Sequence, residues 1–110
     1  MELSKRLQAV ANLVSVGLTV ADVGTDHGYI PIYLLETGKC TKAFALDVNR
    51  GPLLRAKEHI AQHGLFTAIY FQILFDGNAA ELFHKCFRIG ITVLFKQCGN
   101  AHQPVHPGLL

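Results

Sequence analysis

The sequence has few cysteines and no long apolar stretch. Its three cysteines among 110 residues are widely spaced and odd in number, which argues against a disulfide framework and favours the reduced thiols of a cytosolic protein. No apolar run approaches the roughly 18–20 residues of a membrane span. The first residues also lack the uninterrupted apolar core of a signal peptide. We therefore predict a cytoplasmic protein without a membrane segment.

The sequence also carries little net charge. Ten lysines and arginines against eight acidic residues leave +2, and no run of basic residues is present, so charge alone does not indicate a nucleic-acid-binding protein. A hydrophobic content of 50% at so small a net charge is too high for intrinsic disorder. The length of 110 residues suits one domain with its own core.

Strand-like and helix-like stretches alternate along the chain. Short β-branched, apolar runs bounded by glycine predict strands, and apolar residues at helical spacing predict helices. In chain order we predict a helix at 4–14, a strand at 18–23, a helix at 29–37, a strand at 42–46, a helix from 51 to 63, a strand at 67–74, a helix at 79–86 and a strand at 89–95. Strands separated by helices imply right-handed crossovers and a parallel sheet covered on both faces.

This alternation predicts one α/β domain over residues 1–95, with three or four parallel strands and flanking helices in a Rossmann-like arrangement. We expect Pro52 at the first position of its helix and Gly64 just past the end of the same helix. Residues 96–110 contain two prolines and show neither helical nor strand spacing, so we predict an irregular tail there.

Acidic residues and glycines follow three of the predicted strands. The first group is the segment 22–28 (Asp-Val-Gly-Thr-Asp-His-Gly), the second is Asp47, and the third is Asp76 with Gly77. Open α/β sheets bind ligands at the carboxyl ends of their strands. Glycine lets a ligand approach the backbone, and the helix that follows offers unpaired N–H groups. We expect Asp47 to accept both hydroxyls of a ribose, and Asp76 to accept an adenine amino group.

The first of these groups is unsuited to a dinucleotide. Between Gly24 and Gly28 the middle glycine that admits a pyrophosphate is missing, and Asp26 places negative charge beside that position. Two like unit charges about 4 Å apart repel by about 4 kcal/mol at an effective dielectric of 20. A ligand with a cationic or zwitterionic end fits better. S-adenosylmethionine has a sulfonium, an ammonium, a ribose diol and an adenine, which match these carboxylates in kind.

Three segments resemble one known family. They are Leu3-Ser-Lys-Arg-Leu-Gln-Ala-Val-Ala, Ala21-Asp-Val-Gly-Thr-Asp-His-Gly-Tyr-Ile-Pro and Asp47-Val-Asn-Arg-Gly-Pro-Leu-Leu-Arg-Ala-Lys. The sequence is similar here to the bacterial tRNA (adenine-22-N1)-methyltransferases of the TrmK family, which are class I enzymes that use S-adenosylmethionine. The likeness covers roughly residues 3–82, with His63-Gly-Leu65 and Asp76-Gly77 included.

The resemblance implies a cofactor, a partner and a set of site residues. It implies S-adenosyl-L-methionine as cofactor, tRNA as partner, and the strand order 3-2-1-4 of a class I methyltransferase fold. The candidate cofactor-binding residues are Asp22, Gly24, Asp26, His27, Asp47, Asp76 and Gly77. By resemblance, Gly24, Asp26 and His27 line the methionine part, Asp47 holds the ribose, and Asp76 with Gly77 faces the adenine. Arg6 is a candidate substrate-binding residue near the mouth of the site, and no residue is assigned as catalytic.

Simpler structural roles stay open for the same residues. Aspartate is common at strand–helix junctions, so Asp22, Asp26 and Asp47 could be turn or cap residues. His27 could cap the helix that follows it, and Arg6 could lie on a solvated helix face.

The resemblance fades after about Leu82. The family has an Ile-Ala-Gly-Met-Gly-Gly loop after its fourth strand, whereas here Ile91-Thr-Val93 is followed by Leu-Phe-Lys-Gln-Cys-Gly-Asn. We therefore expect only the amino-terminal half of the fold, truncated or frame-shifted after about residue 82, and catalytically inactive or nearly so. The fourth strand should then expose an unpaired edge, which favours aggregation or a strand-swapped dimer.

Two other classes of function are consistent with the sequence. One is a non-catalytic fragment that binds S-adenosylmethionine or a nucleotide. The other is a small zinc-stabilised interaction module, suggested by the spacing of Cys98, His102 and His106 with Cys86 upstream. Zinc fingers pair their cysteines closely, and Cys86 and Cys98 are not close in sequence, so we predict no metal site.

Overall fold

The computed structural model describes residues 2–73, 79–88, 90–97 and 100–101. The helices are α1 (Lys5–Asn12), α2 (Tyr29–Glu36), α3 (Arg50–Gln62) and α4 (Ala79–Arg88). The strands are β1 (Val20–Val23), β2 (Ala43–Asp47), β3 (Ile69–Ile73), β4 (Thr92–Gln97) and β5 (Asn100–Ala101). They form one sheet in the order β3-β2-β1-β4-β5, with β1 to β4 parallel and β5 antiparallel to β4. The predicted α/β class and the order 3-2-1-4 are confirmed.

Alternate residues of the strands build a core on each face of the sheet. On one face Val20 and Leu94 pack with α1 and α2, and Ala45 of β2 packs with α2 and α3. On the other face Ala21 and Val93, each adjacent in sequence to a residue of the first face, pack with Cys86 of α4. Successive side chains of an extended chain point to opposite faces of the sheet. Because both faces are covered here, the strands are nearly continuous apolar runs in the sequence.

The helix ends follow from local chemistry, with one difference from prediction. The Ser4 hydroxyl accepts the N–H of Leu7 at 3.3 Å and caps α1. Helix α3 begins at Arg50, so Pro52 is the third helical residue and not the first. The first-turn N–H groups of a helix have no partner within it, so proline costs no hydrogen bond at the third position either. Gly64 follows the last turn with φ +71°, as expected.

The end of the sheet also differs from prediction. Strand β4 runs to Gln97 instead of ending at Phe95, and Asn100–Ala101 pairs with it in antiparallel register. Lys96, Gln97, Asn100 and Ala101 are therefore strand residues, where an irregular chain was predicted. Pairing between strands uses backbone groups and makes little demand on side chains. This segment therefore pairs as a strand without the alternation of apolar and polar residues from which strands were predicted. Strand β5 also covers the last two residues of the β4 edge, which was expected to be bare along its length.

The two cysteines that the structure describes are buried free thiols. Burial raises the pKa of the Cys40 thiol, an effect that Lys39 partly offsets, and burial also raises the pKa of Cys86. Among the described residues no cluster of histidine, cysteine and acidic side chains could hold a metal ion. Cys98, His102 and His106 lie outside the described residues. In the same part of the chain, every helix is too short or too polar to span a bilayer.

We expect a core substitution in α2 to cost far more stability than a matched surface substitution in α3. Leu34 is fully buried in the cluster that joins α1, α2 and the sheet, whereas Leu54 is mostly exposed. Leu34→Ala should lower the free energy of unfolding by about 2–5 kcal/mol, and Leu54→Ala should change it by less than about 0.5 kcal/mol. Urea denaturation followed by circular dichroism measures both. Similar losses in the two variants would contradict the described core.

Candidate functional site

The loop between β1 and α2 (residues 24–28) lies against the carboxyl end of β2. The N–H groups of Gly24 and Thr25 both donate to the Leu46 carbonyl, at 2.8 and 3.0 Å. The backbone has positive φ at Gly24 (74°), Asp26 (56°) and Gly28 (74°). Glycine adopts this conformation freely, but at Asp26 it costs about 1 kcal/mol. The contacts around Asp26 must therefore hold the loop in this shape.

Asp47 supplies one of these contacts from the last position of β2. Its side chain is buried, at 5% exposure, and its Oδ2 accepts the N–H of Asp26 at 3.3 Å. Its Oδ1 accepts the N–H of Asn49, the residue before α3, at 3.0 Å. The carboxylate thus joins the loop to the start of α3, and the structure brings the backbone of Asp26 and the side chain of Asp47 together.

The Asp26 carboxylate itself faces solvent at the tip of the loop. Its side chain is 61% exposed, with Oδ1 at 3.7 Å from Arg55 Nη2 and at 3.9 Å from His27 Nε2. Pairs that are this long and this exposed are weak, so the negative charge stays accessible to a ligand.

Asp22 is buried within the sheet. It is the third residue of β1, fully buried, and paired in register with Ala45 of β2 and Leu94 of β4. Its part in cofactor binding stays a prediction.

Helix α3 contacts the loop from the other side. His59 Nδ1 lies 2.8 Å from the His27 carbonyl oxygen. Gly28 approaches Ile60 so closely that a Cβ on this glycine would lie 3.1 Å from Ile60 Cδ1. A shallow groove of about 240 Å³ opens beside these contacts. Its lining residues are His27, Tyr29, Arg55, Glu58, His59 and Gln62.

Aromatic rings line up along this groove. His27 stacks on Tyr29 with centroids 5.2 Å apart, and the ring of His59 stands nearly perpendicular to that of Tyr29 at a centroid distance of 5.1 Å. His63 continues the row at 4.9 Å from His59 and bonds to Glu36 through Nδ1 at 2.9 Å. The row therefore links the loop to the last turns of α2 and α3.

Sequence reasoning missed five residues that line the groove, namely Tyr29, Arg55, Glu58, His59 and Gln62. A signal was available, because Arg55, His59 and His63 recur every four residues and must share one face of α3. That spacing predicts a polar stripe on the helix, but it does not show that the stripe faces the loop.

The remaining predicted residues stay predictions. Arg6 is exposed on α1 and lines neither the groove nor a second cavity of about 280 Å³ formed by Glu2, Leu3, Ser4, Leu7 and Tyr29. Asp76 and Gly77 lie outside the described residues, so the structure gives no position for the predicted adenine contacts.

Comparison with known proteins identifies the same region of the chain. A family model described as "Methyltransferase domain" matches residues 3–80. A tRNA (adenine(22)-N(1))-methyltransferase from Bacillus subtilis (strain 168) is 36% identical over 93 residues, which is 84% of this chain and 38% of the relative.

Solved structures agree with this similarity. TrmK of M. capricolum in complex with S-adenosyl-homocysteine matches with a TM-score of 0.67 and 36% identity, over 74% of this chain and 36% of its own. The Streptococcus pneumoniae protein Sp1610 in complex with S-adenosyl-L-methionine matches with a TM-score of 0.65 and 42% identity, over 72% of this chain and 36% of its own. The chain thus spans little more than a third of the length of these relatives.

We expect alanine at Gly28 to destabilise the protein more than alanine at Gly64. Both glycines have positive φ, but only Gly28 would place its new Cβ against Ile60, which is fully buried and cannot easily yield. Gly64→Ala carries the conformational cost alone, about 1 kcal/mol, and Gly28→Ala should lose about 1 kcal/mol more through overpacking. Urea unfolding of both variants provides the measurement, and equal losses would show that the loop does not press on α3.

Proposed function

The chain belongs to the methyltransferase-domain family, and from this membership we propose that it binds S-adenosylmethionine at the β1–α2 loop. The observation that carries the proposal is the loop itself, held at the carboxyl end of β2 by Leu46 and Asp47. Strand β1 has β2 on one side and β4 on the other, so the loop lies where the strand order changes direction. That is the place where open α/β sheets bind nucleotide ligands.

The residues present fit the chemical groups of this cofactor. Helix α2 begins at Tyr29, and its N-cap residue Gly28 provides no side-chain cap, so the N–H groups of Tyr29 and Ile30 are available to the carboxylate of the amino-acid tail. The exposed Asp26 carboxylate suits the ammonium of the same tail. Asp47, at the end of β2, suits the ribose diol, and Asp76 with Gly77 remains our proposal for the adenine.

The reaction we propose for the family member is methyl transfer to N1 of adenine 22 in tRNA. When bound, S-adenosylmethionine supplies an activated methyl group. Adenine N1 carries a free lone pair at neutral pH, so the protein needs to orient the two reactants more than to remove a proton. The loop and Asp47 would fix one reactant by binding it at several points. We assign no residue of this chain to the adenine of tRNA.

Partner and location belong to the same proposal. Similarity to tRNA methyltransferases supports tRNA as the partner and a cytoplasmic location, and the free thiols of Cys40 and Cys86 are typical of a reducing compartment. Because the chain spans 38% of the Bacillus subtilis relative, cofactor binding is the step we propose for these 110 residues. The second candidate is a binding module without transferase activity, and it is supported by the same 38% coverage of the relative.

We expect Asp47→Asn to weaken binding of S-adenosylmethionine at least about tenfold. Hydrogen bonds to a charged group contribute about 1.5–3 kcal/mol, and about 1.4 kcal/mol corresponds to a factor of ten. Isothermal titration calorimetry measures the affinity, and a thermal melt of each protein checks its folding. Glu81→Gln on α4 is the control, because that exposed carboxylate contacts only Lys85 among the ion pairs of the described residues. An unchanged affinity in Asp47→Asn would refute the assignment.

The transferase step has its own test. The 110-residue chain is incubated with methyl-labelled cofactor and either unmodified tRNA or the same tRNA with guanine in place of adenine 22. We expect cofactor binding without measurable transfer, because the chain spans only 38% of its relative. Label that enters the first tRNA and not the second would instead show that these residues suffice for catalysis.

A further inference from the structure

The strained part of the loop is held from two sides. Asp26, the only non-glycine residue with positive φ among the described residues, has its N–H bonded to Asp47 Oδ2. One residue later, the carbonyl of His27 is bonded to His59 Nδ1 at 2.8 Å. The two anchoring side chains come from different elements, the end of β2 and the last turn of α3. Together they fix the peptide groups on both sides of the loop tip.

The direction of the hydrogen bond between His59 and His27 is determined by its acceptor. A carbonyl oxygen only accepts, so Nδ1 carries the proton and donates it. The ring is half-buried, with Tyr29 against it on one side and His63 on the other. His63 is itself bonded to Glu36, which limits the freedom of the whole row.

We propose that His59 is a positioning residue for the cofactor loop. By holding the His27 carbonyl it keeps Asp26 and the start of α2 in the arrangement that receives the amino-acid tail of the cofactor. The inference rests on the proposed function of the loop, and it adds a residue on α3 that need not touch the cofactor. Asp47 anchors the loop from the side of the ribose, whereas His59 anchors it from the side of the tail.

Two substitutions at His59 separate the hydrogen bond from the shape of the ring. In His59→Asn the amide nitrogen stands as many bonds from Cα as Nδ1 does, so the donor is retained. In His59→Leu the donor is lost and the His27 carbonyl has no partner from α3. His84→Leu is the matched control, because His84 is exposed on α4, away from the loop.

The decisive readout compares two ligands by calorimetry. S-adenosylhomocysteine carries the amino-acid tail, and 5′-methylthioadenosine keeps the adenosine but lacks the tail. His59→Leu should lower the affinity for S-adenosylhomocysteine about threefold to tenfold, the range expected for the loss of one hydrogen bond. It should leave 5′-methylthioadenosine within about twofold of the wild type. His59→Asn should restore most of the loss, and His84→Leu should change neither affinity.

Other outcomes overturn the inference. If His59→Leu weakens the binding of both ligands equally, the substitution has damaged the structure in general. If both affinities are unchanged, the hydrogen bond between His59 and His27 does not position the loop. If the wild-type chain binds neither ligand, the proposed function fails, and amide hydrogen exchange of the ligand-free protein then decides about His59. Exchange at Gly28 should accelerate in His59→Leu and not in His59→Asn, and the same rate in both would refute the positioning role.

Discussion

The site depends on the attachment of the β1–α2 loop to the end of β2. The Leu46 carbonyl accepts two N–H groups of the loop, and the Asp47 carboxylate accepts a third. Without these bonds Asp26 would have no reason to adopt a positive φ, and the start of α2 would not be fixed against the sheet. One strand end therefore determines where an exposed carboxylate, a buried carboxylate and an uncapped helix start lie relative to one another.

Burial divides the acidic residues of the site into different roles. Asp22 is enclosed in the sheet, Asp47 is enclosed but bonded to the loop, and Asp26 faces solvent. A carboxylate that accepts backbone N–H groups stabilises the loop, and carboxylate oxygens are also the acceptors that a ribose diol requires. An exposed carboxylate at the loop tip repels phosphate and attracts an ammonium group. The combination favours a zwitterionic adenosine derivative over a dinucleotide, in keeping with membership of the methyltransferase-domain family.

Local signals in the sequence predicted most of the fold but only part of the site. Apolar spacing located the four helices and the four parallel strands, and glycine marked the loop and the end of α3. Pro52 was predicted as the first residue of α3 but is the third, because proline is acceptable anywhere in a first helical turn. Strand β5 was missed because its pairing uses backbone groups alone. His59 and His27 are far apart in sequence, and their contact depends on how α3 packs over Gly28, which only the folded chain shows.

The central claim is that the loop held by β2 and α3 is where the cofactor binds. Nuclear magnetic resonance of ¹⁵N-labelled protein tests it most directly, through the amide shifts that change during titration with S-adenosylhomocysteine. The account predicts that the largest changes fall on residues 24–28 and on Val48 and Asn49, which follow Asp47, while the amides of residues 84–88, at the end of α4 farthest in sequence from Asp76 and Gly77, stay in place. Changes concentrated on residues 84–88, or spread evenly over the chain, would contradict it.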